Sequence, residues 1–350
     1  MKLRYFTFCL IAAFGANASN ANDFRYMVNG VATHNIMAMQ HNISNRAVIL
    51  PVRTKVTHTK NNVANTDTDE YGEMIYYGEY GDDTGILPLI GRSGGDFATA
   101  YVGADWQHFD ETVQIKSYSH MNTNMDLGMV EFGNNHETLN RNPLDMKFFG
   151  GYVGGTIKND DMSMGQDGGF IGALAHQQIE NLDISIVANL GLMMNNVRRP
   201  TDNDNFNNLW AAINADVAYN LALDDRITFR PNFRAGYMWI HSPNYVLDDG
   251  RDVNNKNLGV LELTPSAEII ARIGDGWSIG AHGAYIINFV NGGETYIEYS
   301  KLPKIKTKDY FEYGIYVGKY INNLSLGLNA GRHDGGRTGW YGGATIKYLF

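Results

Sequence analysis

Six charged residues lie at even spacings in two stretches of the second half of the chain. They are Arg226, Arg230, Arg234, Glu262, Glu268 and Arg272. If each stretch is an extended strand, even spacing puts these side chains on one face. Charged groups on a face turned away from water must be paired or hydrated. The pattern therefore predicts either a charged constriction that sets the polarity of a channel and grips a helix, or a network of ion pairs that stiffens a wall.

Histidine and aspartate recur together near two predicted loops. The residues are His241, Asp248, Asp249, Asp252, His333 and Asp334. We expect the last two to lie in the final loop of the chain. An Asp–His pair at the rim of a pore can act as a general base toward water, although solvated loop acids are far more common. Because no nucleophile elbow or His-x-x-x-His pair accompanies them, we expect no enzyme activity, no metal site and no cofactor.

Apolar and polar side chains alternate in the segments that carry these residues. Leu182–Met194, Gly276–Phe289 and Arg337–Phe350 each show a period of two. That period is typical of β-strands with one apolar and one polar face. The segments are longer than the usual strand of about five or six residues. Their length fits tilted strands that cross a bilayer.

The last fourteen residues carry the clearest pattern of this kind. Trp340 and Tyr348 lie toward the two ends of the apolar side, small and aliphatic residues lie between them, and the chain ends on Phe350. Aromatic residues at both ends of an apolar strand are typical of the girdles of a transmembrane β-barrel. A final aromatic residue resembles the C-terminal signal that the assembly machinery of bacterial outer-membrane barrels reads. We predict that Trp340, Tyr348 and Phe350 form such a signal.

Turn lengths support the same interpretation. Transmembrane barrels alternate short turns on one side of the membrane with longer loops on the other. Tight turns are predicted at Glu180-Asn181, Asp224-Asp225, Gly274-Asp275 and Asn322-Asn323, and long polar loops at Asn195–Asn207, His241–Leu258 and Val290–Tyr310. The two classes alternate along the chain, which predicts an all-β, antiparallel, up-and-down transmembrane barrel.

The first half of the chain determines where the barrel begins. We predict the first strand at Gly72–Tyr80 and expect the last strand to pair with it. A tight turn is predicted at Asp110, between Phe97–Phe109 and Glu111–Met121.

The strand count depends on Lys147–Lys158, which alternates like a strand but follows a long segment. If it belongs to an excursion over Asn122–Asp167, the barrel has twelve strands, which is the count we predict. If it pairs with Met125–Phe132 as two further spans, the barrel has fourteen.

Composition is compatible with a β-barrel and argues against membrane-spanning helices and against nucleic acid as a partner. The 350 residues are 44% hydrophobic with a mean hydropathy of −0.29, and no stretch after the N-terminus has the roughly 18 apolar residues of a spanning helix. Low hydropathy is compatible with barrel strands, because each strand is only half apolar. The formal net charge of −9 argues against nucleic acid as a partner.

The N-terminus has the regions of a secretory signal peptide. Lys2 and Arg4 precede an apolar core that contains Cys9, the single cysteine, and small residues end at Ala21. We predict cleavage after Ala21, with Ala18 as the alternative. The predicted organisation is a signal peptide over residues 1–21, an N-terminal helix and linker over 22–69, and the barrel over 70–350.

A helical stripe is predicted within residues 22–46. Val28, Ala32, Ile36, Met39 and Ile43 recur every three or four residues, and the opposite side is polar. So short a helix is not stable alone in water. We predict that it lies in or near the barrel lumen, and a loosely folded linker is the alternative.

The order of these parts resembles the translocator, or β-domain, of the autotransporter family of type V secretion. The similar stretches are Ile36–Arg46, Met74–Tyr80, Tyr101–Trp106, Phe229-Arg230-Pro231, Leu263-Thr264-Pro265 and Gly342–Phe350. The resemblance implies a helix that threads a twelve-strand barrel in the outer membrane of a Gram-negative bacterium. It also implies export of the segment before the barrel, which is short here.

The resulting hypothesis is an outer-membrane barrel that anchors, and exports, its own short N-terminal segment. The alternatives are a passive porin-like channel or structural outer-membrane protein, and a barrel-mouth hydrolase. Expected partners are outer-membrane lipid, the barrel-assembly machinery, and lipopolysaccharide, whose phosphates could meet Lys301, Lys304, Lys306 and Lys308. We expect a monomer.

Overall fold

The computed structural model describes residues 28–47, 95–112, 118–135, 144–158, 162–179, 181–199, 203–224, 226–247, 250–274, 276–302, 307–321 and 324–349. The predicted signal peptide, the predicted first strand at Gly72–Tyr80 and the C-terminal Phe350 lie outside these residues.

Twelve long antiparallel strands form the wall of a closed barrel. They are β1 (Gly95–Thr112), β2 (Tyr118–Asn135), β3 (Leu144–Lys158), β4 (Ser163–Ile179), β5 (Leu182–Arg198), β6 (Asn203–Tyr219), β7 (Ile227–His241), β8 (Leu258–Gly274), β9 (Trp277–Gly292), β10 (Tyr310–Ile321), β11 (Leu324–Gly335) and β12 (Thr338–Leu349). The two-residue strand Leu221–Ala222 also pairs with β7. The predicted fold class and the count of twelve are confirmed.

β12 closes the barrel by pairing with β1, from Phe97↔Leu349 to His108↔Thr338. The other wall strands pair with their neighbours in sequence. Closure gives the backbone groups of the first and last strands their hydrogen-bond partners, as a barrel in lipid requires. The prediction that the last strand pairs with Gly72–Tyr80 is therefore wrong, because β1 is its neighbour.

The barrel has twelve strands, but not because Asn122–Asp167 is an excursion outside the wall, as the sequence favoured. Lys147–Lys158 lies in β3 and Met125–Phe132 in β2, and these two strands pair with each other in the wall. The predicted tight turn at Asp110 is also wrong. β1 continues to Thr112, which is paired with Tyr118 across the first hairpin. A regular ladder that extends beyond Asp110 leaves no room for a turn there.

The two longest connections between wall strands lie at the same end of the barrel. At the end where β1 begins and β12 finishes, residues 180–181, 275–276 and 322–323 join consecutive strands. We call this the turn end. Residues 242–257 and 293–309 join strands at the opposite end, which we call the loop end. The predicted tight turns and these two long loops agree with the strand boundaries.

One predicted long loop is wrong. Asn195–Asn207 is mostly strand, because β5 extends to Arg198 and β6 begins at Asn203. Asn195 faces the lumen with an exposed fraction of 2%, whereas Asn196 is exposed on the outer side of the wall. A run of asparagines therefore does not distinguish a loop from the end of a long strand.

A small sheet of four short strands stands at the loop end. Its strands are Tyr245–Val246, Asp252–Asn255, Thr295–Ile297 and Ser300–Lys301. Val253 and Ile297 are buried in it, and Tyr245 stacks on Phe206 of β6 with ring centroids 5.8 Å apart. The two long loops therefore have an ordered core of their own next to the barrel mouth.

Exposure alternates along the wall, as the period of two predicts. β6 alternates between exposed and buried residues along its whole length. The outward side chains are apolar, and Leu190, Ile213 and Ile315 are 54–61% exposed. Such a belt around a closed barrel is the architecture of a membrane-spanning barrel. Among the described residues, no helix combines the length and apolarity needed to cross a membrane.

Helix α1 (Val28–Ala47) lies inside the barrel. The predicted apolar stripe is buried, with Ile36 and Ile43 at 0% exposure, and it packs against inward wall residues such as Met125 and Trp210. The polar side of α1 is buried as well, as His41 at 3% shows. A helix buried on both sides needs a polar wall opposite its polar side.

α1 runs from the loop end toward the middle of the barrel. Val31 shares an apolar cluster with Met164 and Val197, which lie near the loop-end limits of β4 and β5. Further along the helix, Ser44 accepts a hydrogen bond of 2.8 Å from Asn214 Nδ2, in the middle of β6. The N-terminal end of α1 is therefore the end nearest the long loops.

Candidate functional site in the barrel lumen

His41 of α1 lies between two carboxylates of the wall. Its Nδ1 is 2.8 Å from Glu262 Oε1 on β8, and its Nε2 is 3.3 Å from Glu312 Oε2 on β10. Thr264 Oγ1 donates to the same oxygen of Glu262 at 3.2 Å. One helical turn later, Asn45 Nδ2 is 2.8 Å from His41 Nε2. The imidazole thus joins the helix to two strands of the wall.

Glu312 is shared by three imidazoles. Its Oε2 is 3.3 Å from His41 Nε2 and 3.5 Å from His333 Nδ1, and its Oε1 is 3.6 Å from His282 Nε2. Tyr341 Oη is 2.7 Å from the same nitrogen of His282. A buried carboxylate is tolerated only where hydrogen bonds or charges compensate its lost hydration. Three neighbouring imidazoles provide that compensation for Glu312.

Asp105 of β1 forms the third contact between the wall and the helix. Its Oδ2 accepts hydrogen bonds from Asn42 Nδ2 at 2.9 Å and Gln107 Nε2 at 2.6 Å, and lies 3.3 Å from His333 Nε2. We call the set of contacting side chains the histidine–carboxylate cluster. Its members are His41, Asp105, Glu262, His282, Glu312 and His333.

Each wall member of the cluster occupies an inward position of a strand. Glu312 lies between Phe311 and Tyr313, which face outward and are 56% and 46% exposed. The alternation of a strand forces Glu312 into the lumen once its two aromatic neighbours face lipid. His282 is placed in the same way on β9.

Aromatic rings surround the cluster. The Tyr310 ring makes edge contacts with His41 and His333, at centroid distances of 6.0 and 5.6 Å. The Arg337 guanidinium lies 5.0 Å from the centroid of the Tyr310 ring. Tyr341 lies 5.0 Å from the ring of His333. These rings keep water from the ionic contacts, and electrostatic interactions are stronger where water is excluded.

The C-terminal part of α1 has a second polar contact. Arg234 on β7 donates through Nε to Asp216 Oδ1 at 2.8 Å and through a terminal nitrogen to Asn45 Oδ1. Arg234 and Asp216 are both buried, with side chains 4% and 3% exposed. Asn45 therefore contacts both Arg234 and the histidine–carboxylate cluster, which restrains this end of α1.

The N-terminal half of α1 is held by amides. Asn35 donates to Gln166 of β4, and Gln166 Nε2 donates in turn to Asn195 Oδ1 at 2.7 Å. Asn208 Nδ2 donates to Asn29 Oδ1 at 3.3 Å. Arg337 also donates to the backbone oxygen of His34 at 3.4 Å, so amides and one guanidinium hold the loop-end half of the helix, whereas the histidine–carboxylate cluster holds the half nearer the centre.

A second set of buried polar and charged side chains connects wall strands near the turn end. Asp183 lies 3.3 Å from His176 Nε2 and 3.4 Å from Arg230, and accepts a hydrogen bond of 2.7 Å from Asn220. Arg230 also lies 3.5 Å from Glu268. These contacts connect β4, β5, β7 and β8, as expected for a network that stiffens the wall.

The six charges singled out in the sequence divide into three groups. Arg230, Arg234 and Glu268 are buried in the lumen, and Glu262 binds His41. The remaining two lie close to the turn end: Arg226 is exposed in the turn before β7, and Arg272 is half-buried near the end of β8. Even spacing selects the correct face but not the depth, so residues near a strand end reach solvent.

The predicted assembly signal faces outward where it is described. Trp340 and Tyr348 are 59% and 48% exposed on the lipid side of β12. The Arg332 guanidinium lies 5.3 Å from the centroid of the Trp340 ring. Phe350 lies outside the described residues, and the role of all three in assembly stays a prediction.

The His and Asp residues of the hydrolase alternative that the structure describes do not converge. His333 is not in a loop as predicted, because β11 extends to Gly335; it faces the lumen, whereas Asp334 contacts Tyr313 Oη at 2.5 Å on the outward side. His241 Nδ1 is 2.9 Å from Asn257 Oδ1.

The other acids of that alternative lie elsewhere. Asp252 is exposed in the loop-end sheet, and Asp248 and Asp249 lie outside the described residues.

The cluster contains residues that the sequence did not single out as a site. Asp105 and Glu312 were missed because each is a single acid between apolar neighbours, and His333 was assigned to the hydrolase alternative instead. The available signal was that isolation, since a lone acid flanked by outward apolar residues must face the lumen. Within the described residues, no three His, Cys, Asp or Glu side chains are arranged to hold a metal ion. The contacts of the cluster are those of a helix-binding site.

Solved structures with the same fold come from autotransporters. The translocator domain of NalP from Neisseria meningitidis matches with a TM-score of 0.60 and 12% identity, over 73% of this chain and 88% of that one. The β-domain of the Bordetella autotransporter BrkA matches with a TM-score of 0.59 and 13% identity, over 74% and 100%. The transport unit of AIDA-I from Escherichia coli matches with a TM-score of 0.58 and 15% identity, over 73% and 90%.

At these identities the likeness is one of fold. The resemblance to autotransporter β-domains is confirmed at that level. No family model matches the sequence. No curated protein matches it either.

Proposed function

We propose that this protein is an outer-membrane translocator that anchors its own N-terminal segment and carries it to the loop-end side of the membrane. The observation that carries the proposal is the direction of α1 in the lumen. Its N-terminal part lies near the loop-end limits of β4 and β5, and its C-terminal part lies at mid-depth. A chain that threads a barrel in this direction has its N-terminus on the side of the long loops.

The histidine–carboxylate cluster supports an anchoring role for α1. His41, Asn42 and Asn45 reach four wall strands, β1, β7, β8 and β10. Several buried polar contacts on one short helix favour a single depth and rotation, because any slip would leave charged groups unpaired. We propose that the helix stops at this depth and remains as the anchor of the exported segment.

In this proposal, the turn end lies in the periplasm. Barrels of the outer membrane have short periplasmic turns and longer extracellular loops. We propose that the assembly machinery inserts the chain and reads Trp340, Tyr348 and Phe350. The barrel acts as a monomer in outer-membrane lipid, and the loop-end lysines, of which Lys301 is 54% exposed, meet lipopolysaccharide.

An epitope tag tests the direction of export. We would insert the tag directly before Val28 and, as a matched control, between Asn322 and Asn323 at the turn end. The first tag should bind antibody on intact cells, and the second only after the outer membrane is permeabilised. A gel shift between unheated and boiled samples verifies that both variants fold. A folded protein whose first tag is masked on intact cells would refute the proposal.

The position of α1 argues against the passive-channel alternative. Wall residues from β1 to β8 pack against the helix, so little open path is left at that depth. We expect the complete protein to conduct poorly in planar bilayers, and a variant without residues 28–47 to conduct strongly. Equal conductance of the two would favour the channel. The proposed role needs no catalytic group, and the lumen position of His333 does not favour a barrel-mouth hydrolase.

A further inference from the structure

A hollow lies on the outer surface of the barrel near the turn end. Its volume is about 530 Å³, and its lining is almost wholly apolar. That volume falls within the range of small-molecule binding sites. The lining includes Ala100, Trp277, Val317, Lys319, Leu328 and Ala344. The hollow crosses the β12–β1 junction where the barrel closes.

Strand register explains why the surface is concave there. Leu328 pairs with Ala344, and Ala344 pairs with Val102, so these three side chains form one row across the wall. Leu328 and Val102 are 59% and 63% exposed. The alanine between them is much shorter. The row therefore has a gap in the middle, over which a hydrocarbon chain can lie.

A cation stands at the rim of this hollow. Lys319 pairs with Trp277 across β10 and β9, and its ammonium lies 5.0 Å from the centroid of the indole ring. Lys319 is two residues from the end of β10, so its ammonium can reach the headgroup region. Lys319 and Trp277 form the turn-end side of the lining, and Val317, which pairs with Leu328, lies two residues further toward the bilayer centre.

We propose that this hollow binds one anionic phospholipid from the leaflet on the turn-end side. Its phosphate contacts Lys319, the glycerol region lies against Trp277, and an acyl chain lies over Ala344. Lys319 lines the turn-end side of the hollow, and Leu328 and Ala344 line the part nearer the bilayer centre, which is the order of headgroup and chain in a phospholipid. The site is independent of export, because no part of α1 lines it.

The charge of Lys319 favours an anionic lipid over a neutral one. An ammonium near the surface of an anionic leaflet contributes about 1 kcal/mol of attraction. Removing it should weaken lipid binding about fivefold. Neutral lipid would fill the hollow without that contribution, so the structure assigns a preference for a phosphatidylglycerol-like headgroup over phosphatidylcholine.

Native mass spectrometry of the full-length protein in detergent tests the proposal. Phosphatidylglycerol is titrated against wild type, Lys319→Gln and Ala344→Leu. We expect one tightly bound lipid in wild type, about fivefold weaker binding in Lys319→Gln, and loss of the bound lipid in Ala344→Leu, which fills the gap between Leu328 and Val102. The gel shift on heating verifies that each variant is folded.

Two variants serve as matched controls. Lys256 lies 5.7 Å from the ring centroid of Tyr296 at the loop end, so Lys256→Gln removes a similar lysine–aromatic contact elsewhere. Ala211 faces outward on β6, so Ala211→Leu adds the same apolar volume on another part of the wall. Both should bind lipid like wild type.

Three outcomes would overturn the proposal. Equal binding by wild type and both hollow variants would mean that lipid only solvates the belt. Equal affinity for phosphatidylcholine would remove the role of Lys319. A dimer that Ala344→Leu abolishes would show that a second copy of the chain occupies the hollow.

Discussion

The inner and outer faces of the wall follow different rules, although the same strands form both. On β10, Phe311 and Ile315 face lipid, and many other large apolar residues would serve there. Glu312, on the inner face of the same strand, contacts three particular imidazoles. The outer face therefore needs only a class of residue, whereas the inner face needs specific partners. Substitutions at the two faces should fail for different reasons.

The largest effect is expected from Glu312→Ala. This change leaves the imidazoles of His41, His282 and His333 buried without their shared carboxylate. Breaking a buried ionic contact costs about 3–5 kcal/mol. Unfolding by urea in phospholipid vesicles measures the loss. Glu294→Ala at the loop end, whose carboxylate lies 3.7 Å from Lys301, is the control and should cost less than about 1 kcal/mol.

A double-mutant cycle of His41→Ala and Glu312→Ala sharpens this prediction. If the helix and the wall are coupled through this pair, the double variant should lose less unfolding free energy than the sum of the two single variants. The reason is that each single change already breaks the same contact. Additive losses would mean that Glu312 stabilises only the wall.

Leu190→Arg tests the outer face and should have the next largest effect. Leu190 is 56% exposed in the middle of β5, where its side chain meets the centre of the bilayer. Arginine at that depth costs about 2–4 kcal/mol. Leu223→Arg is the matched control, because Leu223 is 62% exposed at the turn end, where the cost falls to about 0–1 kcal/mol. Equal losses at both positions would contradict the membrane position of the belt.

The inner and outer faces also differ in the space available beside two glycines. A Cβ on Gly343 would lie 2.2 Å from Tyr101 Oη in the lumen, whereas a Cβ on Gly128, which pairs with the outward Val102, would meet nothing within 4 Å. We expect Gly343→Ala to lower the free energy of unfolding by about 1–3 kcal/mol. Gly128→Ala should be neutral or slightly stabilising. The same urea titration measures both, and equal effects would mean that the Tyr101 ring moves freely.

The smallest effect is expected from Lys301→Gln in the loop-end sheet. Its ammonium is 3.7 Å from Glu294 and half-exposed, and such pairs contribute about 0–1 kcal/mol because water screens them. Stability should hardly change. A loss comparable to that of Glu312→Ala would show that the loop-end sheet is as strongly coupled to the fold as the lumen.

Sequence analysis identified the outward face better than the connections. Alternation placed Trp340 and Tyr348 on the lipid side, and charged turn residues indicated the tight turns. The prediction of turns and loops failed at Asp110 and at Asn195–Asn207, where polar residues belong to strands. In both places the polar residues continue a paired strand, and local composition cannot distinguish a polar residue in a strand from one in a loop.

The sequence predicted α1 from its apolar stripe, but it did not indicate the partners of the polar side. The stripe through Ile36 and Ile43 indicated the apolar side of α1, and both residues are buried. His41 also belongs to the visible polar side, yet nothing near it in sequence indicates Glu262 or Glu312. Partners more than two hundred residues away depend on where the helix stops in the lumen.

The sequence by itself determined the period of two, the apolar belt and the alternation of connections, because these depend on neighbours along one strand. Tertiary structure alone decided that β12 closes on β1 and that His41 meets Glu262 and Glu312. Strand period assigns each side chain to a face, but not to a partner across the lumen. Those partners follow from ring closure, strand register and the depth of α1, which are properties of the whole barrel.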